Sequence, residues 1–462
     1  MNMFLKGWAK KTALWVALLL SVAQIIFAIF PETYHQSSFI YVISNFFKFD
    51  LAADNITRVL LLCIGIVFFV TIILAKQMIK DDDRRFNFIN LLLIIVSGLN
   101  GVVLVTDIFS LYVFLEIVAV GSFVLIAFNK EMLALEGAFK YIILSSVASI
   151  MMLTAIALLL LVSGSTSFSA ISASLLYSTY NPLIMIAMIT FICGLFIKAG
   201  LMPFHGWLPD AYTAAPGPVS VLLAGVVTKT VGVYTLMRIV ISVFGLYLPI
   251  QKILMFVGAS SIIFAALAAL GQTDFKRMLS FSSISQVGYI VLGLGCGTTL
   301  GIAGALFHLF NHTIFKSLLF VNAATVEAQA GTRDMQKLGG LSAKMPITGF
   351  SSVLASLSAA GIPPLAGFWS KLIIVIALWL SGNYIYAIIA VMGSVLTLAY
   401  FLSLQRMVFF GKLREDLMNI KEGGLGFMIP TVLLAVITVG AGLAFPYLLN
   451  TFILPVSSIF GG

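Results

Sequence analysis

Glu116, Lys198, Lys229, Lys316 and Lys371 each stand alone inside an apolar stretch, and His308 and His312 share a stretch with Lys316. Burying a charge at bilayer depth is costly, so ionisable groups found there usually line an ion or proton path. The chemistry that suits these residue types is proton transfer between groups whose affinity the surroundings tune. Desolvation lowers the pKa of a lysine from about 10.4 toward neutrality, and a carboxylate brought close raises it again by whole units. A lysine whose glutamate partner approaches and retreats can therefore take up and release a proton. Histidine, near about 6.5 when unperturbed, passes protons onward with little penalty in either direction. His308, His312 and Lys316 recur at i, i+4 and i+8, which puts three titratable groups on one helix face.

Each charge also has a plainer account. A structural ion pair would explain Glu116, which lies near the middle of a span of about twenty residues and cannot reach an interface. Snorkelling would carry an ammonium several ångströms, too little for Lys229 but enough for Lys316 if its helix ends soon after 323. A satisfied core histidine would explain His308 or His312 taken singly. Lys198 and Lys371 flank helix breaks, where a freed carbonyl can neutralise an ammonium.

The elements that must hold these groups are membrane helices. The chain is 61% apolar and 9% charged, with a mean hydropathy of +1.12 over 462 residues, which no soluble domain shows. A window such as 59–75 runs uncharged between Arg58 and Lys76, close to the length that crosses about 30 Å of hydrocarbon as a helix. The alternation of polar and apolar residues that builds a lipid-facing barrel is absent, so the expected fold is all-α and polytopic. Thirteen spans are expected, near 11–30, 54–77, 87–106, 108–128, 135–163, 181–213, 217–243, 253–272, 277–297, 299–323, 346–382, 384–410 and 425–450. Lys6, Lys10 and Lys11 precede the first, which is too long and lacks the small-residue cleavage site of a signal peptide.

With the N-terminus cytoplasmic, one set of loops holds Lys6, Lys10, Lys11, Lys76, Lys80, Arg84, Arg85, Lys130, Lys276, Arg277, Arg333, Lys337, Lys344, Lys412, Arg414 and Lys421. The opposite set holds little beyond Lys48 and Lys252, and 163–182 and the tail after Asn450 hold no basic residue. The positive-inside rule then gives N-in, C-out. Much of the net charge of +9 follows from this topology and gives no reason to invoke nucleic acid.

Two spans are interrupted alike, at Lys198-Ala-Gly-Leu-Met-Pro203 and at Gly361-Ile-Pro-Pro-Leu-Ala-Gly367. Proline and glycine free backbone groups there, which is tolerated where they face protein or a hydrated cavity and often marks a transport site. Each break is the fourth span of a five-span unit, and because five is odd the units run in opposite directions. The expected organisation is peripheral helices at 1–86, inverted five-helix repeats at 87–243 and 253–412, and a last helix at 425–450. Lys198 precedes its break whereas Lys371 follows its own, so the two are not strict equivalents. Cys63, Cys193 and Cys296 are isolated and form no metal-ligand spacing. Driving one charge against a membrane potential takes about 2.3 kcal/mol per 100 mV. No P-loop, nucleotide fingerprint or redox ligand set supplies that energy in this sequence.

The stretch Phe196-Ile-Lys198 through His205-Gly-Trp-Leu-Pro-Asp210 to Pro218-Val-Ser220, followed by Lys229, resembles the signature of the antiporter-like proton-translocating subunits of respiratory complex I, Mrp sodium/proton antiporters and energy-converting membrane-bound hydrogenases. Asp274-Phe-Lys-Arg277 through Gln286 and Tyr289, His308-Leu-Phe-Asn-His312-Thr-Ile-Phe-Lys316, and Gly361 through Phe368-Trp-Ser-Lys371 extend the likeness in family order over about residues 100–380. The run from Gly331-Thr-Arg333-Asp334 to Lys344-Met-Pro346 looks closest to the hydrogenase and Mrp branch.

The resemblance implies a Glu116–Lys198 pair, a central Lys229, a histidine-containing link through His308 and His312 to Lys316, and Lys371 toward the outer half-channel. It implies a proton-translocating subunit of a redox-driven pump in a prokaryotic cell membrane, part of an ion-translocating oxidoreductase with no redox centre of its own. Any iron–sulfur, nickel–iron or flavin centres would sit on partners, which are other membrane subunits and a soluble redox arm. A subunit of an Mrp-type antiporter, carrying sodium as well as protons, and the membrane subunit of an inorganic-carbon uptake complex stay open as alternatives. Family members typically have fourteen core helices; this chain reads as starting at the second and stopping soon after the last.

Overall fold

The computed structural model describes residues 2–30, 41–42, 48–49, 51–176 and 181–453. Of the loop charges expected from sequence, Lys6, Lys11 and Lys48 are described in backbone only, and the tail after Ile453 lies outside the described residues. Apart from a two-residue antiparallel pairing of Tyr41–Val42 with Lys48–Phe49, the regular structure described is helical.

Helices α1 (Asn2–Ile29) and α2 (Asn55–Met78) precede a first run of spans: α3 (Asp82–Leu104), α4 (Ile108–Ile126) and α5 (Met132–Ser163). After the short α6 (Phe168–Leu176) come the two halves of a broken element, α7 (Pro182–Ala199) and α8 (Trp207–Ala214). A continuous helix, Gly217–Phe244, follows; its α-helical pieces are α9 (Gly217–Leu222) and α10 (Thr235–Ile239). The second run is α11 (Leu248–Leu270), α12 (Phe275–Gly295), α13 (Thr299–Ala330), the broken pair α14 (Pro346–Ala360) and α15 (Ala366–Leu380), and α16 (Tyr384–Leu404). Helices α17 (Leu425–Leu443) and α18 (Phe445–Leu448) close it.

Short polar residues start these helices by occupying the amides that a helix leaves unpaired at its N-terminus. Asp54, Asp81, Asp107, Asp274 and Thr298 each accept from a backbone N–H three residues on, and Asn181 caps α7 just ahead of Pro182. The breaks are made by glycine. Gly200 and Gly361 end the first halves at φ +65° and +86°, a left-handed turn that costs other L-residues about 1–2 kcal/mol.

Among the described residues, eleven helices are long and apolar enough to cross a membrane alone. The expected spans near 299–323 and 346–382 are not among them. The first is α13, whose 32 residues hold His308, Asn311, His312, Lys316 and Asn322; the second is two helices of 15 residues. The crossing part of the first broken element is α7 alone, and α8 lies beyond it. Boundaries otherwise shift by a few residues, except that α1 begins at Asn2 and α13 runs on to Ala330.

The packing around the two broken elements is alike. The third span packs on both halves of the broken fourth, α5 on α7 and α8, and α13 on α14 and α15. The units meet where α13 lies against α9 and the turn after it. The Gly217–Phe244 helix is buried over its whole best apolar window, and α12 over 94%, whereas the span Tyr384–Phe409 is buried over only 33%. A helix wholly enclosed by protein has no need to be uniformly apolar, and the first two of these carry Lys229, Ser282 and Gln286.

Candidate functional site

Glu116 on α4 and Lys198 in the last turn of α7 meet at 3.1 Å. The lysine side chain is 2% exposed and the glutamate 32%, so the pair is shut off on the lysine side. Ser145 and Ser149, one turn apart on α5, both lie 3.2 Å from the Lys198 Nζ, and Ser149 also donates to Glu116. Beyond Lys198 a small, mainly apolar cavity of about 10 Å³, the scale of one water molecule, includes Ser145, Trp207 and Thr228 in its lining.

Thr228 leads directly to Lys229. Here the helix widens into π turns, Leu223–Val227 and Lys229–Tyr234. Side chains compete for its carbonyls: Lys229 donates to the Ala224 oxygen five residues back, and Thr235 to that of Thr230 at 3.0 Å. Such single-turn widening recurs at functional positions because it frees backbone oxygens and re-aims side chains. Lys229 is fully buried and has no carboxylate partner among the described residues.

On α13, His308 and His312 stack with parallel rings 6.2 Å apart, and both are fully buried. His308 Nδ1 pairs with Ser370 Oγ at 2.9 Å; neither nitrogen of His312 has a partner. Lys316 donates to Ser282 and to the Leu279 carbonyl on α12. Because α13 continues to Ala330, Lys316 lies mid-helix and is wholly buried, so the shorter span expected from sequence, and snorkelling with it, is ruled out. Lys371, in the second turn of α15, sits 4.2 Å from the centroid of the Tyr289 ring, with its Nζ otherwise unpartnered. His312 and Lys316 lie near enough to Lys229 and Lys371 for their charges to act on one another.

The fold thus brings Glu116 to Lys198, and gathers Lys229, His308, His312, Lys316 and Lys371 into one enclosed cluster reached past Thr228. Chemically this is a set of groups each able to hold or lose one proton. Histidine, cysteine and carboxylate groups nowhere cluster as a metal site among the described residues.

Sequence reasoning placed Lys276 among the loop charges, and the structure corrects this. Lys276 is 1% exposed, in the first turn of α12, and pairs with Glu327 at 2.6 Å. Its spacing from Arg277 and Asp274 looked like a loop because the helix starts at Phe275, ahead of the apolar run. Arg277 and Lys140 both bind Asp210 on α8, at 2.6 and 2.7 Å. This carboxylate stands outside the crossing helices, on the face that carries the basic loops. Burial would raise the Asp210 carboxyl, but its hydrogen bonds and ion pairs with Lys140 and Arg277 prevail and hold it below the usual carboxylate range. Arg238 was also missed: it binds Asp54 through two nitrogens at 2.5 and 2.9 Å at the other end of the molecule. An arginine within a turn of a span end was the available signal. Ser145, Ser149 and Ser370 gave none, since a hydroxyl in a membrane helix ordinarily bonds its own backbone.

Residues 105–397 match the family described as NADH:quinone oxidoreductase/Mrp antiporter, TM. The chain is 32% identical over 402 residues to an Na(+)/H(+) antiporter subunit of Alkalihalophilus pseudofirmus, covering 86% of this chain and 81% of that protein. It is 34% identical over 357 residues to an NADH-quinone oxidoreductase subunit of Desulforudis audaxviator, covering 76% and 71%. A chain of the Mrp complex from a Dietzia species superposes with a TM-score of 0.89 at 22% identity, over 99% of this chain and 95% of that one, which shows a shared fold.

Proposed function

This chain belongs to the NADH:quinone oxidoreductase/Mrp antiporter transmembrane family, and on that premise we propose that it carries protons along the buried relay just described. It is an antiporter-like, multi-pass membrane subunit of a multisubunit assembly. Glu116 and Lys198 form the switch, Lys229 the centre, His308, His312 and Lys316 the link, and Lys371 the outer terminus. The observation that carries the reading is the enclosed cluster of Lys229, His312, Lys316 and Lys371, close enough for their charges to act on one another and with no carboxylate paired to them among the described residues. A purely structural interior would not assemble several ionisable groups without an anion, because a charge held on any of them is costly to bury.

Protons move by stepwise transfer. When Glu116 swings away from Lys198, the ammonium loses its neutralising partner and releases its proton to the water-sized recess beside Thr228. Lys229 accepts it there. Transfer then passes by His312 and Lys316 to His308, and through the Ser370 hydroxyl toward Lys371. The wholly buried course keeps protons from leaking when the switch is closed.

The energy comes from other chains. In the first reading these form a redox arm whose iron–sulfur, nickel–iron or flavin centres lie outside this subunit, in a prokaryotic cell membrane, with the N-terminus cytoplasmic and the C-terminus outside. A second reading, a subunit of an Mrp-type sodium/proton antiporter, is favoured by the extent of the match to the Alkalihalophilus antiporter protein. Purifying the intact complex and identifying the chains that co-elute decides between them: nickel–iron or iron–sulfur proteins favour the first, and small membrane subunits alone favour the second. For the relay itself, Lys229→Ala should abolish proton translocation in proteoliposomes while the complex still assembles. Wild-type translocation by that variant would remove the relay.

A further inference from the structure

A buried polar atom without a hydrogen bond is costly unless water reaches it. Four such atoms line one interface between the Lys316 region and the face where α13 ends and α14 begins: Gln286 Oε1, Tyr400 OH, Gln405 Oε1 and Asn322 Nδ2. All four residues are at most 5% exposed. Each has hydroxyls beside it. Gln286 Nε2 donates to Thr397 at 3.2 Å, and the Tyr400 hydroxyl lies beside Ser282, Gln286 and Thr397 without completing a bond. Gln405 Nε2 donates to Ser352 at 2.8 Å and Ser356 at 2.9 Å, while Asn322 Oδ1 accepts from Ser351 at 3.2 Å. Turning either amide over would only exchange which end is left unpaired.

The order of these groups follows the helix axes. Lys316 to Asn322 is six residues, about 9 Å along α13. Thr397, Tyr400 and Gln405 step the same way along α16 and the turn that follows it. At the end of the line Glu422, partly exposed, accepts from the Thr348 hydroxyl at 2.5 Å and from the Ile347 amide at 2.8 Å. The other end is Ser282, which accepts from Lys316.

We propose that a file of water follows this seam from Glu422, past Asn322, Gln405 and Tyr400, to Lys316, and is a second route for protons between the relay and the face that carries Glu422. It rests on the relay reading above and extends it, because Lys316 then refills from the aqueous side each time the Glu116–Lys198 switch and Lys229 drive its proton on toward Lys371, so that the file and the switch act in series. Each hop breaks one O–H bond and forms the next. The net change is one proton taken from the aqueous side at Glu422 and one gained by neutral Lys316.

X-ray hydroxyl-radical labelling of the intact complex tests the water file, because a buried tyrosine is oxidised only where water lies against it. Tyr234 is the control, as deeply buried as Tyr400 but with its hydroxyl donated to the Val103 carbonyl at 2.8 Å. Tyr400 should label several times faster than Tyr234. Gln405→Leu should slow that labelling and lower proton translocation by about tenfold. Gln405→Glu, which still bonds Ser352 and Ser356, should retain both and verifies that the site tolerates substitution. Equal labelling of the two tyrosines overturns the file, and so does wild-type translocation by Gln405→Leu. Labelling reads water rather than transport, so rapid labelling of Tyr400 together with an active Lys229→Ala variant would reject the relay and leave the water file standing.

Discussion

Lys198 and Lys371 flank the two helix breaks, yet their surroundings differ. Lys198 faces a carboxylate at 3.1 Å and two serine hydroxyls; Lys371 faces the ring of Tyr289 and has no anion or hydrogen bond among the described residues. An ammonium paired with a carboxylate is stable as an ion, so the first site holds its proton until the pair separates. A lysine over an aromatic face gains only about 2 kcal/mol when desolvated, too little to replace hydration. On the relay proposed above, the first end would serve as a latch and the second as an exit, though the backbone breaks around them are alike.

The largest expected effect comes from cutting either end. Glu116→Ala and Lys371→Ala should each lower proton translocation by the intact complex more than about tenfold if the ends work in series. If instead each variant retains about half the wild-type rate in proteoliposomes, the ends conduct independently and the contrast between latch and exit is wrong.

Stability separates the same two positions with opposite signs. Glu116→Ala leaves Lys198 buried and unpaired and should destabilise the assembled subunit by about 3 kcal/mol. Lys371→Met removes a buried group that lacks a partner, and should leave the thermal midpoint of the purified complex unchanged or raise it. A loss of stability in Lys371→Met comparable to that of Glu116→Ala would mean that the second ammonium has an anchor after all.

A smaller effect concerns what holds α8, the second half of the first broken element. Asp210 ties it to Lys140 on α5 and Arg277 on α12. Its carboxyl is held below the usual range, so its contribution to stability is complete above that range and is lost as pH falls through the lowered value. Asp210→Asn should thus be less stable than wild type at pH 7, with the gap in midpoint closing only below about pH 4. A gap that closes near neutrality would assign it to another group.

The smallest lies in the turns. Gly200→Ala would bring a Cβ to 2.5 Å from Leu208 Cδ1, whereas Gly361→Ala would meet only the Lys371 Cδ at 3.2 Å. Both pay for a left-handed backbone, about 1–2 kcal/mol, and the first adds a clash. Equal midpoints for the two variants would show that Leu208 moves aside freely.

The membrane class, the helical fold and the two breaks were legible in the sequence, because hydrocarbon demands apolar runs of fixed length and only glycine and proline interrupt them cheaply. The seven ionisable residues stood out for the same reason: Glu116 or Lys229 has no apolar disguise. Lys276 was misread since a charge at the edge of an apolar run looks the same whether it ends in water or against Glu327. Lys316 was placed too near a helix end, because Asn322 and Glu327 dilute the apolar signal of a helix that continues to Ala330.

What the sequence determined by itself is which residues would have to be protected from lipid, and at what depth along the chain, since that cost is local to each residue. The tertiary structure alone decided their partners. Glu116 and Lys198 are 82 residues apart, and His308 and Ser370 are 62 apart. No local periodicity specifies such meetings. They arise from how α4, α5, α7, α13 and α15 pack, and whether a buried charge is matched, bridged by water or left bare depends on that packing.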